Sequence, residues 1–536
     1  MTPETSLTTD SGLRMLDYAV IVLYMLSTFG IAVWFGRKQE TTDDFFIGSR
    51  RMPWFAVGLS ILATLFSTLS YLGSPGEMIK HGIGLFIGYL AIPFSMTVVF
   101  FLWIPFFMRL RVTSAYEYLE RRFNYGVRLL GATLFIFLRL GWMSMVVYAA
   151  SMALDRVKGD DFTILPGNDI YWWIVAVGIG AAIYTSVGGI QAMIWTDVLQ
   201  CLLLLVGVLM VIFYVMIVDQ TGPLDWWATA AKHSPEHVSP PLISFDLTVR
   251  VTIVWMIVNN FFWTVCTHGS DQVVLQRYFS TSSQKAARRS YLINVAVDLL
   301  MAGLLATAGL ALLAFYLRHS ELMPAGWTAT GQADKLFPHF LGHQLPMGCA
   351  GLIIAAFICD AMQTLESGVN SITAVATNDI VPRLRQGRPR IVSELTFARL
   401  TTIVVTVIVT ANACLVAEMA SRLKEGTLIS LMPRFFNLFV GPLSALFFIG
   451  MFMPRCTARS AIPAALTGLS VAIVWCWWQE IFNTSKGPTV FLAIAVPWLT
   501  SVGTALILSL LIEKGGPHAG RGYTWFAIVK GPERSD

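Results

Sequence analysis

The sequence predicts an all-α protein that crosses a membrane many times. Of its 536 residues, 55% are hydrophobic and only 13% are charged, about half the charged share of an ordinary soluble domain. Mean hydropathy is +0.65. Apolar runs of roughly 20 residues recur along most of the chain, each long enough to cross about 30 Å of hydrocarbon.

About thirteen spans follow from these runs. In order they cover 15–36, 53–79, 83–108, 128–154, 169–187, 191–218, 248–269, 290–317, 346–378, 394–417, 428–451, 461–481 and 488–512. The first apolar run lacks a basic n-region and a small-residue cleavage site, so it reads as a retained span and not a signal peptide. Placing the N-terminus outside puts most of the basic loop residues inside, among them Arg37, Lys38, Arg109, Arg111, Arg277, Arg288, Arg383, Arg388 and Arg455. An odd number of spans then leaves the C-terminus in the cytoplasm of a cell envelope, plasma or inner membrane.

Two spans read as interrupted. The second carries Gly73-Ser74-Pro75-Gly76 near its outer end, and the seventh ends in Thr267-His268-Gly269-Ser270. They lie five spans apart and enter from opposite sides. Paired broken helices in corresponding halves point to an inverted repeat with a site at the midplane, where freed carbonyls can coordinate a cation. The alternative is the general tolerance of membrane helices for Gly and Pro. Two longer outer loops cover 219–247 and 319–345. The first holds Leu224, Trp226 and Trp227, which suit an interfacial helix or a gating lid.

Polar groups then mark the site. Ser60, Thr64, Ser67, Tyr71 and Ser74 make one stripe on the second span; Asp360, Gln363, Thr364, Ser367 and Ser371 make another on the ninth. Each hydroxyl alone suits a bond between neighbouring helices, whereas two full stripes favour a solvated cavity. Asp197 lies in the apolar sixth span just after Gly188-Gly189, where a charge requires a partner such as an ion, a base or a water path. Arg139, Asp298, Glu366 and Arg434 are likewise intramembrane. Arg139 and Asp298 suit either a structural pair or contact with a polar solute. Glu366 suits pairing with Arg434 or a share in a second ion site. His268 reads as structural.

Nothing suggests an enzyme. There is no Walker A loop and no plausible nucleophile or metal spacing, and the seven cysteines are scattered. A net charge of +5, with its Lys and Arg in short loops, gives no support for nucleic-acid binding.

The chain resembles the sodium:solute symporters, the sodium–glucose and sodium–proline transporter group, from about Asp17 to Glu513. Tyr184-Thr185-Ser186-Val187-Gly188-Gly189-Ile190-Gln191-Ala192 is similar to the family's first signature, and Trp195-Thr196-Asp197-Val198-Leu199-Gln200 to its continuation. Thr113 to Phe123 matches an inner-loop motif. Asp44-Phe45-Phe46-Ile47-Gly48 and Pro53-Trp54 match the approach to the second span.

The resemblance implies a LeuT-type fold with five-plus-five inverted repeats. The segments would be an extra N-terminal helix and loop over 1–52, repeat one over 53–218, an extracellular loop over 219–247 and repeat two over 248–451. Two C-terminal helices and a short tail would fill 452–536. It also implies uptake of a small organic solute driven by inward sodium flow. The implied sodium site uses backbone oxygens of Ala63, Phe66 and Asp360 with side chains of Gln363 and Thr364; Gln363 stands where serine is usual. Asp197, Glu366 and Ser367 sit where a second ion or a coupling group is expected. Thr64, Ser67, Ser70, Thr264 and Asp298 would face the central cavity, with Arg139 nearby. Asp298 replaces the lysine of the family's sugar transporters. The run Asp271 to Tyr278 is closer to the monocarboxylate, vitamin and iodide branch, and Arg139 suits a carboxylate, so the expected solute is an organic anion or zwitterion. Proton coupling through Asp197, Asp298, Asp360 and Glu366 is the alternative on the same fold. A transporter-like sensor would ordinarily continue into a signalling domain, and the tail after Glu513 is short. A channel is disfavoured, since no selectivity-filter repeat is visible.

Overall fold

The computed structural model describes residues 13–36, 48–110, 112, 114–157, 169–185, 190–381, 394–422, 427–513 and 519–531. The turn at Gly188-Gly189 and basic residues such as Arg37, Lys38, Arg111, Arg383 and Arg388 lie outside this set. The described residues are helical, with one isolated bridge between Met52 and Thr281. That is the expected outcome for apolar runs in lipid, where a helix satisfies its own backbone.

The principal helices are α1 (Met15–Gly36), α2 (Trp54–Leu65), α3 (Thr68–His81), α4 (Gly84–Leu110), α5 (Tyr125–Val157), α6 (Asp169–Thr185) and α7 (Ile190–Asp219). They continue with α8 (Ile253–Ser270), α9 (Gln272–Phe279), α10 (Gln284–Arg318), α11 (Cys349–Val375) and α12 (Glu394–Arg422). The last three are α13 (Leu428–Phe452), α14 (Ala458–Cys476) and α15 (Val490–Leu511). Among the described residues, nine helices are long and apolar enough to cross a membrane, or ten with α2 and α3 taken as one bent span. The expected count of about thirteen is not reached on that basis. α1 and α6 have shorter apolar stretches, and α8 is diluted by Asn259, Asn260, Thr264, Thr267 and His268.

The interruption in the second span is real but misplaced in the sequence reading. The chain bends by 61° between α2 and α3, with Phe66 and Ser67 outside the helices. Pro75 lies inside α3. The cause is distant in sequence: Asp360 Oδ2 on α11 accepts from both the amide and the hydroxyl of Thr68, each at 2.5 Å. This carboxylate caps the first turn of α3, satisfying one of its orphan amides. Gly76 serves close packing instead, since a Cβ there would lie 3.0 Å from Asp334 Cα. The second break falls between α8 and α9, one residue beyond Ser270. Asp271 caps α9 by accepting from the Val273 amide.

The core forms where helices pack closely around α11 and α10. Gly58 brings α2 against α10, and a Cβ there would meet the Ser290 carbonyl oxygen at 2.5 Å. Gly58→Val is therefore expected to destabilise the protein by about 1–3 kcal/mol through overpacking. Thermal unfolding in detergent checks this, and an unchanged midpoint refutes it. α1 is fastened at its start: Asp17 Oδ1 accepts from the amides of Gly348 and Gly351, each at 2.8 Å, at the head of α11.

The loop after α7 forms a helix, Pro223–His233. Trp226 turns inward and donates to Thr221 Oγ1 at 2.9 Å, while Leu224 and Trp227 stay exposed, the amphipathic arrangement of an interfacial helix. A second such helix, Ala333–His343, carries Asp334. Its Oδ2 accepts from the Leu428 amide at 2.5 Å, and burial pushes its carboxyl up to about 7. In the unfolded chain the group titrates near about 3.9. Its contribution is thus full below about pH 4 and lost as pH rises through about 7. Asp334→Asn is expected to raise the melting temperature at pH 8 and leave it unchanged at pH 4; equal effects at both would refute this.

Candidate ion and solute site

The break between α2 and α3 takes the last carbonyls of α2, including those of Ala63 and Phe66, out of a continuous helical ladder. α11 lies opposite, joined through the Asp360–Thr68 bonds. Gln363 Nε2 donates to the Met193 carbonyl at 3.0 Å and to Asp197 Oδ1. Its Oε1 is buried with no hydrogen-bond partner among the described residues, leaving an acceptor oxygen beside Thr364, which is buried one residue along. Carbonyls, a hydroxyl and a carboxamide oxygen are hard ligands of the kind an alkali cation takes.

Asp197 is not beside a vacant charge. It is 2% exposed, and Ser60 Oγ donates to its Oδ2. Arg277 Nη2 reaches the same oxygen at 3.1 Å and also Ser367 Oγ at 3.1 Å. Arg277 Nε donates to Ser60 Oγ at 2.7 Å. This network ties α2, α7, α9 and α11 together. Arg277 was read from sequence as an inner-loop residue, yet it is 2% exposed on α9. Glu366, for which the sequence offers Arg434 or a share in a second ion site, has both carboxylate oxygens buried, with no hydrogen-bond partner among the described residues. Arg434 instead pairs with Glu480 at 2.6 Å.

Arg139 and Asp298 do not pair. Arg139 forms a buried ion pair with Asp271, its Nε 3.2 Å from Oδ1, and its guanidinium lies 5.1 Å from the Trp142 ring. It therefore fixes the α8–α9 break. His268 Nδ1 spans the same break to the Tyr278 hydroxyl at 2.7 Å. The two polar stripes are likewise partly structural. Thr64 donates to the Ser60 carbonyl, Tyr71 to the Leu204 carbonyl, and Ser371 to Gln276 Oε1.

A central cavity with ≈ 180 Å³ of water-accessible space lies among α2, α3, α4, α8, α10 and α13. At about 30 Å³ per water that is room for roughly six waters, the scale of a small organic solute. Of the six residues read as facing the solute, Ser70, Thr264 and Asp298 line it; Thr64, Ser67 and Arg139 do not. Asn259, Asn260, Asn294, Trp142 and Trp263 line it and were not anticipated. The adjacent asparagines in an apolar run were a readable signal.

A helix bundle with a broken helix facing an acceptor-bearing helix, beside a solute-sized cavity, defines a secondary transporter of the LeuT type. A solved Na+-coupled sialic acid symporter, in a substrate-bound outward-open state, superposes with a TM-score of 0.79 at 27% identity, covering 93% of this chain and 98% of that one. A nucleobase-cation-symport-1 family transporter shares the fold at 13% identity and a TM-score of 0.51. The sodium:solute symporter family model matches residues 45–468. The sodium/sialic acid symporter SiaT of Proteus mirabilis is 30% identical over 460 residues, 86% of this chain and 88% of its own. The human sodium/iodide cotransporter is 30% identical over 480 residues, 88% and 71% respectively. The chain belongs to the sodium:solute symporter family. It is a multi-pass membrane protein that couples sodium flow to movement of a small solute.

Proposed function

We propose that this chain drives uptake of a small organic anion or zwitterion, with one sodium site formed by Ala63, Phe66, Asp360, Gln363 and Thr364. The observation that carries the site is the 61° break facing α11, where Gln363 Oε1 is buried with no partner among the described residues. A buried acceptor left unpaired costs about 1–3 kcal/mol, and a bound cation would remove that cost. Asp197, Ser367 and Glu366 form the coupling group: the network of Asp197 and Ser367 with Ser60, Arg277 and Gln363 joins the broken helix α2 to α11, so a cation at the break is felt at α7 and α9, and Glu366 lies beside it on α11. Ser70, Thr264 and Asp298 contact the solute.

The sialic acid relatives support an organic anion or zwitterion. The repeats are read as 53–218 and 248–451, the N-terminus as outside and the C-terminus as cytoplasmic. The chain is read as a transporter without catalytic activity or a nucleic-acid partner. Reconstituted protein is expected to accumulate solute only with an inward sodium gradient. Uptake that persists after sodium removal at fixed membrane potential, or that acidification alone drives, would overturn the reading.

A further inference from the structure

We infer that the central cavity selects a solute bearing a protonated amine, with Asp298 as its counter-ion. This rests on the reading of that cavity as the solute site and narrows it from anion or zwitterion to the zwitterion.

The first argument is the company that other carboxylates keep. Asp197 has Arg277, Asp271 has Arg139, and Glu77 has Arg250. Each of these three is answered by an arginine; Asp360 and Glu366 are not, but neither of them lines the cavity. Asp298 is answered only by a phenol: Tyr89 donates to its Oδ1 at 3.2 Å. Among the described residues it forms no ion pair. A carboxylate in a low-dielectric cavity is poorly stabilised by one neutral donor and calls for a cation.

The second is the charge of the cavity. Among the described residues neither lysine nor arginine lines it, and the lining histidine, His268, is engaged by the Tyr278 hydroxyl. Arg139, the cation expected to reach the solute, is held by Asp271. A solute carrying only a negative charge would meet Asp298 with no opposing charge from the lining, an arrangement that rejects it.

The third is the wall. Trp142 and Trp263 stack with centroids 5.6 Å apart, and Phe436 lies 4.8 Å from Trp142. Aromatic faces attract ammonium groups. Asn259, Asn260 and Asn294 line the same cavity and carry neutral N–H donors, which suit an acceptor on the same solute such as a carboxylate or carbonyl oxygen. A cationic group for Asp298 and an acceptor for these carboxamides together describe a zwitterion.

The test uses matched probes on the purified full chain in detergent, read as thermal stabilisation with and without sodium. Phenylalanine, 3-phenylpropionate and phenethylamine share one body, as do proline, cyclopentanecarboxylate and pyrrolidine. The amine-bearing members are expected to stabilise at concentrations about tenfold or more below those of the carboxylate-only members. Asp298→Asn is expected to erase that preference and Asp298→Glu to restore it, while both variants keep stabilisation by sodium alone. Equal or better stabilisation by the carboxylate-only probes, no amine-dependent stabilisation in either series, or an unchanged preference in Asp298→Asn overturns the inference. Failure of sodium alone to stabilise the wild-type protein would instead count against the sodium-coupled reading.

Discussion

Replacing Asp197 by alanine is expected to abolish sodium-driven uptake and to cost about 3–5 kcal/mol of stability. The stability loss comes from Arg277, which stays buried at 2% exposure and loses its ion-pair partner. Ser60 and Gln363 lose their shared acceptor in the same step. The transport loss has a separate origin, because this cluster links the broken helix α2 to α7, α9 and α11. A double variant separates the two. Asp197→Leu with Arg277→Met removes both charges and is expected to recover most of the stability, as apolar replacement of buried ion pairs often does. Uptake is expected to remain absent. Thermal unfolding and proteoliposome uptake on the same preparations decide the matter; a double variant that transports normally would remove Asp197 from the coupling path.

The second large effect is at Thr364. Thr364→Ala removes a hydroxyl from the proposed sodium site without leaving a buried charge unpaired, so its effect falls on ion binding. The sodium concentration for half-maximal uptake is expected to rise about tenfold or more, the equivalent of about 1.4 kcal/mol. Thr364→Ser keeps the hydroxyl and is expected to behave like the parent. An unchanged sodium dependence in Thr364→Ala, with normal expression and melting, would displace the site from α11.

The bundle was legible because lipid leaves an apolar run few alternatives to a helix. Asp197 stood out for the same reason: a charge in such a run needs an explanation. Its partner did not stand out. Arg277 sits close in sequence to Lys285, Arg288 and Arg289 and reads with them as a cytoplasmic cluster, until the break at Asp271 turns α9 back into the protein. The α2–α3 break was placed too late because Gly73 to Gly76 carries the local signal, whereas the bend is organised by Asp360, far away in the chain. The Arg139 pairing failed in a related way. Asp271 and Asp298 are both plausible partners by sequence, and only the packing of α5 against the α8–α9 junction chooses Asp271. Asn259 and Asn260 were visible all along as a polar pair inside an apolar run, but they followed no stripe.

Asp17 gives the extra N-terminal helix a use as a handle. Its carboxylate grips the first amides of α11, the helix that carries Asp360, Gln363, Thr364 and Ser367. Leu13 at the same end donates to the carbonyl of Val157, the last residue of α5. A fluorophore or spin label attached beside Arg14 would ride on this double anchorage. From the periphery it would report any tilt of α11 relative to α5, with no probe placed in the proposed site itself.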